Sequence, residues 1–229
     1  MPISHITGPQ HGAALAVKRG FDLATAAVGL TILAPLLLTL SALSWLTMGR
    51  PVFFRQARSG RFGQPFTLIK FRSMADARDA QGRLLPDSAR ITRFGAFLRT
   101  TSLDELPELW NVLTGRLSFV GPRPLLTAYL PRFSRGQARR LNALPGITGW
   151  AQVHGRNALV WEEKFRLDVW YVDHWTLGRD VLILARTVGT VAQREGIMAG
   201  PEETMPEFLG AEGQRSPRGR STAPTGGAI

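Results

Sequence analysis

The chain has 229 residues, a formal net charge of +11 and no cysteine. The lack of cysteine excludes disulfides and thiolate metal sites, and the excess of basic residues requires an anionic partner. Arginines are spread along the whole chain and most tryptophans lie in its centre, which favours lipid head groups and phosphorylated substrates over nucleic acid.

The N-terminal part is dominated by an uncharged run from Leu23 to Gly49, after residues 1–17, which we predict to be disordered. As a helix this run would measure roughly 40 Å, which exceeds the ~30 Å core of a bilayer. Basic residues flank it on both sides, and Pro35 near its centre removes a backbone donor. We therefore favour a re-entrant membrane helix over residues 18–49, broken at Ala34 and Pro35. A kinked single span remains the main alternative, and a cleaved signal peptide fits less well because the run is too long.

The remaining elements are a hairpin, a loop and several helices. Val52–Gln56 and Pro65–Phe71 are β-prone runs around a glycine-containing turn, and Ala75–Arg90 has the composition of a surface loop. Helical segments are predicted at Phe94–Arg99, Glu105–Leu113, Leu125–Leu144, Trp161–Trp175 and Asp180–Arg194. In the last of these, an apolar stripe is predicted to face the core, formed by Val181, Leu184, Val188 and Val191. Residues 211–229 lack apolar periodicity and are predicted to form a disordered tail.

Two adjacent carboxylates, Asp104 and Glu105, precede one of these helices. Ser102 and Glu105 have the spacing of a capping box, although Pro107 would then lie inside the helix. The helix therefore begins either at Ser102 or at Pro107, and in both cases the helix dipole would favour the ionised carboxylates. An ionised aspartate is a nucleophile toward phosphorus or a Mg²⁺ ligand, but a poor general acid, which argues against a glycosidase.

The segment Gly121–Pro124 is the second chemical feature. Its prolines predict a rigid turn that fixes the guanidinium of Arg123, a group suited to bidentate phosphate binding. Separately, the acidic pair and this turn are weak signals, and only their combination indicates phosphate chemistry at a bilayer.

Several longer motifs occur along the chain: Lys18–Asp22, Phe71–Met74, Leu98–Pro107, Phe119–Pro124, Pro145–Val153 and Gly155–Asn157. Together they resemble the motifs of one family, the bacterial sugar transferases. These are the monotopic phosphoglycosyl transferases that act on polyprenyl phosphate. The resemblance covers about Lys18 to Gly210, and this chain is similar to the short form of the family.

The resemblance implies a two-step reaction and assigns roles by motif position. Asp104 would be the nucleophile that takes a sugar phosphate from a UDP-sugar, and Glu105 would be its partner toward metal or lipid phosphate. Mg²⁺ would be the cofactor, with Asp104 among its ligands. Phosphate or nucleotide contacts would come from Lys70, Arg99, Arg123 and Arg156, with Asp168 as a supporting carboxylate. Each of these five could instead form a simple ion pair.

The resulting prediction is an α+β, mostly helical enzyme with a re-entrant membrane helix, interfacial helices and a small β-hairpin. Residues 50–210 would form the catalytic domain at the cytoplasmic face of the inner membrane. Its partners would be a UDP-sugar, polyprenyl phosphate and membrane lipid, with no nucleic acid, and a homodimer is left open. The alternatives are a non-catalytic membrane scaffold of a polysaccharide assembly complex and a membrane-tethered nucleic-acid binder.

Two details of the sequence bear on membrane geometry and on the sugar. Ala34 stands where the family usually has serine before the proline, so the bend must depend on Pro35 and packing. The C-terminal runs Arg194–Ile197 and Thr204–Phe208 resemble the branch of diacetylbacillosamine-phosphate transferases. They indicate an N-acetylated amino sugar, with galactose or glucose as the second choice.

Overall fold

A computed structural model describes residues 10, 12–155, 159–192 and 207–210. The predicted mostly helical chain with small sheets is confirmed in this part, whereas the predicted disordered segments 1–9 and 211–229 lie outside it. The elements are α1 (Gly12–Ile32), α2 (Ala34–Met48), β1 (Phe53–Ser59), β2 (Pro65–Phe71), α3 (Asp87–Arg90), α4 (Arg93–Thr100), α5 (Glu108–Leu113), β3 (Ser118–Val120), α6 (Arg135–Ala138), β4 (Gly146–Thr148), α7 (Trp161–Asp173) and α8 (Leu177–Ala192).

Helices α1 and α2 form a bent pair. Within the described ranges, no single helix is long and apolar enough to cross a membrane, but these two together are, and they are bent by 63°. The break lies at Leu33, one residue before the predicted position, because Pro35 is accepted within the first turn of α2. Helix α1 begins at Gly12 rather than at Lys18, so the predicted disorder is wrong for residues 12–17.

The predicted hairpin is confirmed and packs beneath α1. Strands β1 and β2 pair antiparallel, with Phe54 opposite Lys70. The buried side chains of Phe66 and Leu68 on β2 pack in one cluster with Ala26 of α1 and Val112 of α5. Burial of these apolar surfaces fixes α1, the hairpin and α5 as one unit.

Buried charged groups attach α1 to the rest of the chain. The ammonium of Lys18 lies 2.5 Å from Asp180 Oδ2 and donates to the carbonyl of Val120 at 3.0 Å. Asp180 also accepts from the hydroxyl of Tyr171 and the indole of Trp175. Because the ion pair is buried and both partners make further hydrogen bonds, it holds α1 in a defined position on the body.

A short parallel pair, β3 and β4, lies behind the loop that carries Arg123. Ser118 is opposite Gly146, and Val120 is opposite Thr148. A Cβ added to Gly146 would lie 2.1 Å from the backbone nitrogen of Gly121, so glycine is required for this close approach. The turn after β3 is thereby fixed directly on the β4 backbone.

Two helical predictions need correction. The region Leu125–Leu144 is not one helix but three short turns, because Pro131 lies within it and Ser134 caps a new turn through its hydroxyl. The apolar stripe predicted for α8 is only partly confirmed: Val181 and Val188 are exposed, whereas Leu184 packs against the core. The apolar side chain of α8 that is fully buried is Ile183, which packs with residues of α7. The side chain of the fourth stripe residue is not among those described.

Candidate active site

The acidic pair lies in a single 3-10 turn, Leu103–Glu105, between α4 and α5. Ser102 has φ 56°, a left-handed conformation, and its side chain makes no capping hydrogen bond, which excludes the first alternative from the sequence, a capped helix that begins at Ser102. Helix α5 begins at Glu108, directly after Pro107, as in the second alternative from the sequence. The two carboxylates are therefore outside the helix and available to other partners.

Glu105 is the centre of a charge cluster that joins three distant segments. The ammonium of Lys70, on β2, lies 2.5 Å from Glu105 Oε1. The guanidinium of Arg123, on the Pro-rich turn, donates to the same oxygen at 3.0 Å. Lys70 also lies 3.1 Å from Glu108 Oε1. The structure thus brings Lys70, Glu105 and Arg123 of the predicted set into direct contact.

The pKa values of the two glutamates diverge. Burial raises the pKa of Glu105, but the charges of Lys70 and Arg123 outweigh it and set the pKa to about 2. Burial raises the pKa of Glu108 to about 7, against the opposing charge of Lys70, and the nearby charge of Glu105 adds to the increase. Glu105 is therefore a permanent anion that orients its two cations and is a weak base.

Asp104 has a different environment. Burial raises its pKa to about 6, because desolvation and the charge of Glu105 outweigh the cations Lys70, Arg123 and Arg99. The expectation that its ionised form is favoured is wrong, because burial outweighs any contribution of the α5 dipole. In the described part of the chain, its carboxylate makes no hydrogen bond or ion pair. At neutral pH Asp104 is a mostly ionised, partly desolvated and unengaged carboxylate, which suits a nucleophile.

Further cations surround the carboxylates. Arg99, at the exposed end of α4, is close enough to lower the pKa of Asp104. Lys164 of α7 has its pKa lowered to about 8, first by burial and then by the charge of Arg123. The cluster carries more positive than negative charge at neutral pH, so a diphosphate is a favourable ligand.

Asp168 is linked to the backbone of the Arg123 turn through Arg140. Its side chain is buried and pairs with the guanidinium of Arg140 at 2.7 Å. The same guanidinium donates to the backbone carbonyl of Arg123 at 2.7 Å. Asp168 thus contacts Arg123 through Arg140, which supports a positioning role and no direct phosphate contact. The predicted residue Arg156 lies outside the described residues.

The metal prediction can be compared with the donor set. No group of three histidine, aspartate or glutamate residues that could hold an ion occurs within the described ranges. Mg²⁺, however, binds through one or two carboxylates together with substrate phosphates and water. The unengaged carboxylate of Asp104 fits an ion shared with a diphosphate, whereas Glu105 is occupied by its two cations.

Two residues of the site, Glu108 and Arg140, were not predicted from the sequence. Glu108 follows Glu105 by three residues, a spacing that often places side chains on one face, so it could have been predicted. Arg140 carries no local signal, because its partner Asp168 is 28 residues away and on another helix. Contacts of this kind depend on the tertiary fold.

Comparison with known proteins identifies the family. The family described as bacterial sugar transferase matches residues 13–194. The Bacillus subtilis protein named "Uncharacterized sugar transferase EpsL" is 52% identical over 195 residues, 85% of this chain and 96% of that protein.

Two longer relatives carry names with a defined reaction. The undecaprenyl-phosphate galactose phosphotransferase of Salmonella typhimurium is 38% identical over 79% of this chain and 41% of its own length. An N-acetylgalactosaminephosphotransferase of Aeromonas hydrophila, named for UDP-N-acetylgalactosamine and undecaprenyl phosphate, is 35% identical over 76% of this chain and 43% of its length. The chain spans less than half of these two proteins. With the family match over most of its length, the chain belongs to the bacterial sugar transferases.

Proposed function

We propose that this enzyme transfers a sugar 1-phosphate from a UDP-sugar to undecaprenyl phosphate through a covalent intermediate on Asp104, with release of UMP. The observation that carries the proposal is the unengaged carboxylate of Asp104 among Lys70, Arg99 and Arg123. The names of the relatives support this kind of reaction, and the roles of individual residues rest on the geometry of the site.

In the first half-reaction the Asp104 carboxylate attacks the β-phosphorus of the UDP-sugar. A carboxylate–phosphorus bond forms, the bond from that phosphorus to the bridging oxygen breaks, and the oxygen leaves with UMP. Lys70 and Arg123 are held toward the site by Glu105 and would stabilise the negative charge that develops on the phosphoryl oxygens. Mg²⁺, when bound with the diphosphate, would supply additional charge neutralisation.

In the second half-reaction a phosphate oxygen of the lipid attacks the same phosphorus and releases Asp104. The products are the polyprenyl diphosphate sugar and the free carboxylate. Glu105, with a pKa of about 2, serves this step as the anchor of Lys70 and Arg123 rather than as a base.

The lipid substrate requires that the site lie at a bilayer. The bent pair α1–α2 exposes large apolar side chains along its length, among them Phe21, Ile32, Leu38 and Leu46. We infer that the pair enters one leaflet and returns to the cytoplasmic face of the inner membrane. The buried Lys18–Asp180 pair would then hold the catalytic body at that surface.

For the sugar, we propose an N-acetylated amino sugar, with galactose or glucose as the second choice. The C-terminal runs that indicate an N-acetylated amino sugar fall largely outside the described residues, and relatives are named for both galactose and N-acetylgalactosamine. A pocket for an acetamido group would reject a plain hydroxyl by leaving buried polar groups unpaired. A panel of UDP-diacetylbacillosamine, UDP-N-acetylglucosamine, UDP-galactose and UDP-glucose decides this point.

The scaffold alternative required the acidic pair to act only as a helix cap. That support is lost, since Ser102 forms no capping box and Glu105 binds two cations instead. The test is UMP release by the purified protein from the UDP-sugar panel with undecaprenyl phosphate. We expect release with at least one donor. A protein that binds prenyl phosphate but releases no UMP with any donor would be a scaffold.

A further inference from the structure

An open groove lies at the start of β1, next to the end of the helix pair. We name it the β1 groove; it measures about 550 Å³, within the size range of small-molecule sites. Its lining combines apolar and basic side chains: Pro51, Val52, Phe53, Phe54, Arg55 and Arg72. Most of its lining surface is apolar, and Arg55 and Arg72 contribute two guanidinium groups.

The chemistry of this lining selects an amphiphile with an anionic head. The ring of Phe54 is exposed, and Phe53 is exposed at one side while it stacks on Phe71 with ring centroids 5.4 Å apart. Within the described residues, neither Arg55 nor Arg72 has a carboxylate within 4 Å. Exposed aromatic rings beside uncompensated positive charge fit a ligand that combines an isoprenoid chain with a phosphate. They fit such a ligand better than a purely apolar chain or a free phosphate.

The position of the β1 groove connects the helix pair with the catalytic cluster. At one end the guanidinium of Arg72 donates to the carbonyls of Met48 and Gly49, the last residues of the apolar run. At the other end Phe54 is the cross-strand partner of Lys70, so the two side chains emerge on the same face of the hairpin. Lys70 in turn contacts Glu105 of the catalytic pair.

The same strand also leads to the Arg123 turn. Further along β1, Arg58 donates to the carbonyl of Pro124, the residue after Arg123. A chain that leaves the bilayer beside α2 would therefore pass the β1 groove before its head group reaches either cation of the cluster.

We propose that the β1 groove binds the lipid acceptor, with the isoprene units nearest the phosphate on Phe54, on the hairpin face that carries Lys70. Phe53 and Arg55 emerge on the opposite face of β1 and line the other side of the groove, from which Arg55 attracts the phosphate by its charge. This inference rests on the proposed function, since it assigns the acceptor of the second half-reaction. The groove serves only that acceptor: the nucleotide sugar reacts at Asp104 without using it.

The test separates the two half-reactions in three variants. Phe54→Ser removes a half-exposed ring that stacks on no other ring in the described part of the chain, and Arg55→Gln removes an exposed charge that forms no ion pair there, so both should fold. Phe97→Ser is the matched control, because Phe97 is similarly exposed but lies on α4, outside the groove. Each protein is assayed in detergent micelles for UMP release without acceptor and for the KM for undecaprenyl phosphate.

We expect both groove variants to release the first equivalent of UMP at the native rate. Their KM for undecaprenyl phosphate should rise, by about tenfold for Phe54→Ser, while the control stays within about twofold of the native protein. Sedimentation with phosphatidylglycerol vesicles that lack prenyl phosphate should be equal for all three variants.

Three results would overturn the inference. An unchanged KM in both groove variants would show that the acceptor binds elsewhere. Equal increases in KM in the control and the groove variants, with equal loss of vesicle binding, would make the groove a general membrane contact. Slower release of the first UMP would make it part of the donor site. Failure of the native protein to release UMP at all would instead count against the proposed function.

Discussion

The pKa of Asp104 gives a quantitative prediction for the first half-reaction. Burial raises this pKa from the ordinary 3.8 to about 6, and only the ionised carboxylate attacks phosphorus. With a pKa of 6, the ionised fraction falls from about 0.9 at pH 7 to about 0.1 at pH 5. We therefore expect the rate of adduct formation to fall about tenfold over this range. With an ordinary pKa the fall would be less than roughly 10%.

Substitution of neighbouring cations should shift the inflection of the pH–rate profile, the pH at which the rate is half-maximal, in a known direction. Lys70 is the strongest of the cations that oppose the increase in the pKa of Asp104, and Arg99 is the weakest of those identified. Lys70→Met should therefore move the inflection above pH 6, because removal of a cation favours the protonated acid. Arg99→Gln should move it in the same direction by less.

The assay is single-turnover release of UMP without acceptor, at saturating UDP-sugar, from pH 5 to pH 8. The main competing group is Glu108, whose pKa is raised to about 7. Glu108→Gln serves as the control and should keep the inflection near pH 6. A rate that does not change between pH 7 and pH 5, or an inflection that disappears in Glu108→Gln, would refute the assignment to Asp104.

Three further predictions concern stability and topology. Asp104→Asn should abolish turnover yet raise the free energy of unfolding at pH 8. The raised pKa of Asp104 in the folded state means that its contribution to stability is lost as the pH rises through about 6. The substitution removes this loss, and the gain is at most roughly 3 kcal/mol, less whatever solvent screening takes away. Denaturant titrations at pH 5 and pH 8 check this, and an equal effect at both would contradict it. Asp168→Ala should cost about 3–5 kcal/mol, since Arg140 would remain buried without its partner, whereas Glu163→Ala on the same helix breaks only an exposed pair and should change little. Cysteines placed before α1 and after α2 should both be labelled from the cytoplasmic side by an impermeant reagent, and Pro35→Leu should shift part of the population to a true span; labelling from opposite faces in the native chain would contradict re-entry.

Local patterns predicted those elements whose signals are local. The hairpin follows from two β-prone runs around a turn, and the register of β1 and β2 agrees with it. The bend near Pro35 follows from the covalent limits of proline, although the break lies one residue earlier, at Leu33. In contrast, the capping-box spacing of Ser102 and Glu105 does not mark a helix start here. The same four residues instead form a turn that begins with Ser102 in a left-handed conformation.

The candidate site could be predicted only in part. Asp104, Glu105 and Arg123 were found as residue types near prolines, and the family resemblance added Lys70. The convergence of Lys70 and Arg123 on one oxygen of Glu105 depends on contacts across 35 and 18 residues, which no periodicity encodes. The pKa of Asp104 was predicted in the wrong direction, since its sign depends on burial, and burial is a property of the folded chain.

The covalent intermediate is the central claim, and intact-protein mass spectrometry tests it most directly. Native protein incubated with its UDP-sugar, without acceptor, should gain the mass of one phosphosugar, and peptide mapping should place it on Asp104. The added mass should disappear when undecaprenyl phosphate is supplied, and it should not form in Asp104→Asn. An adduct that persists in Asp104→Asn, or native UMP release that occurs only with acceptor present and leaves no adduct, would contradict the account.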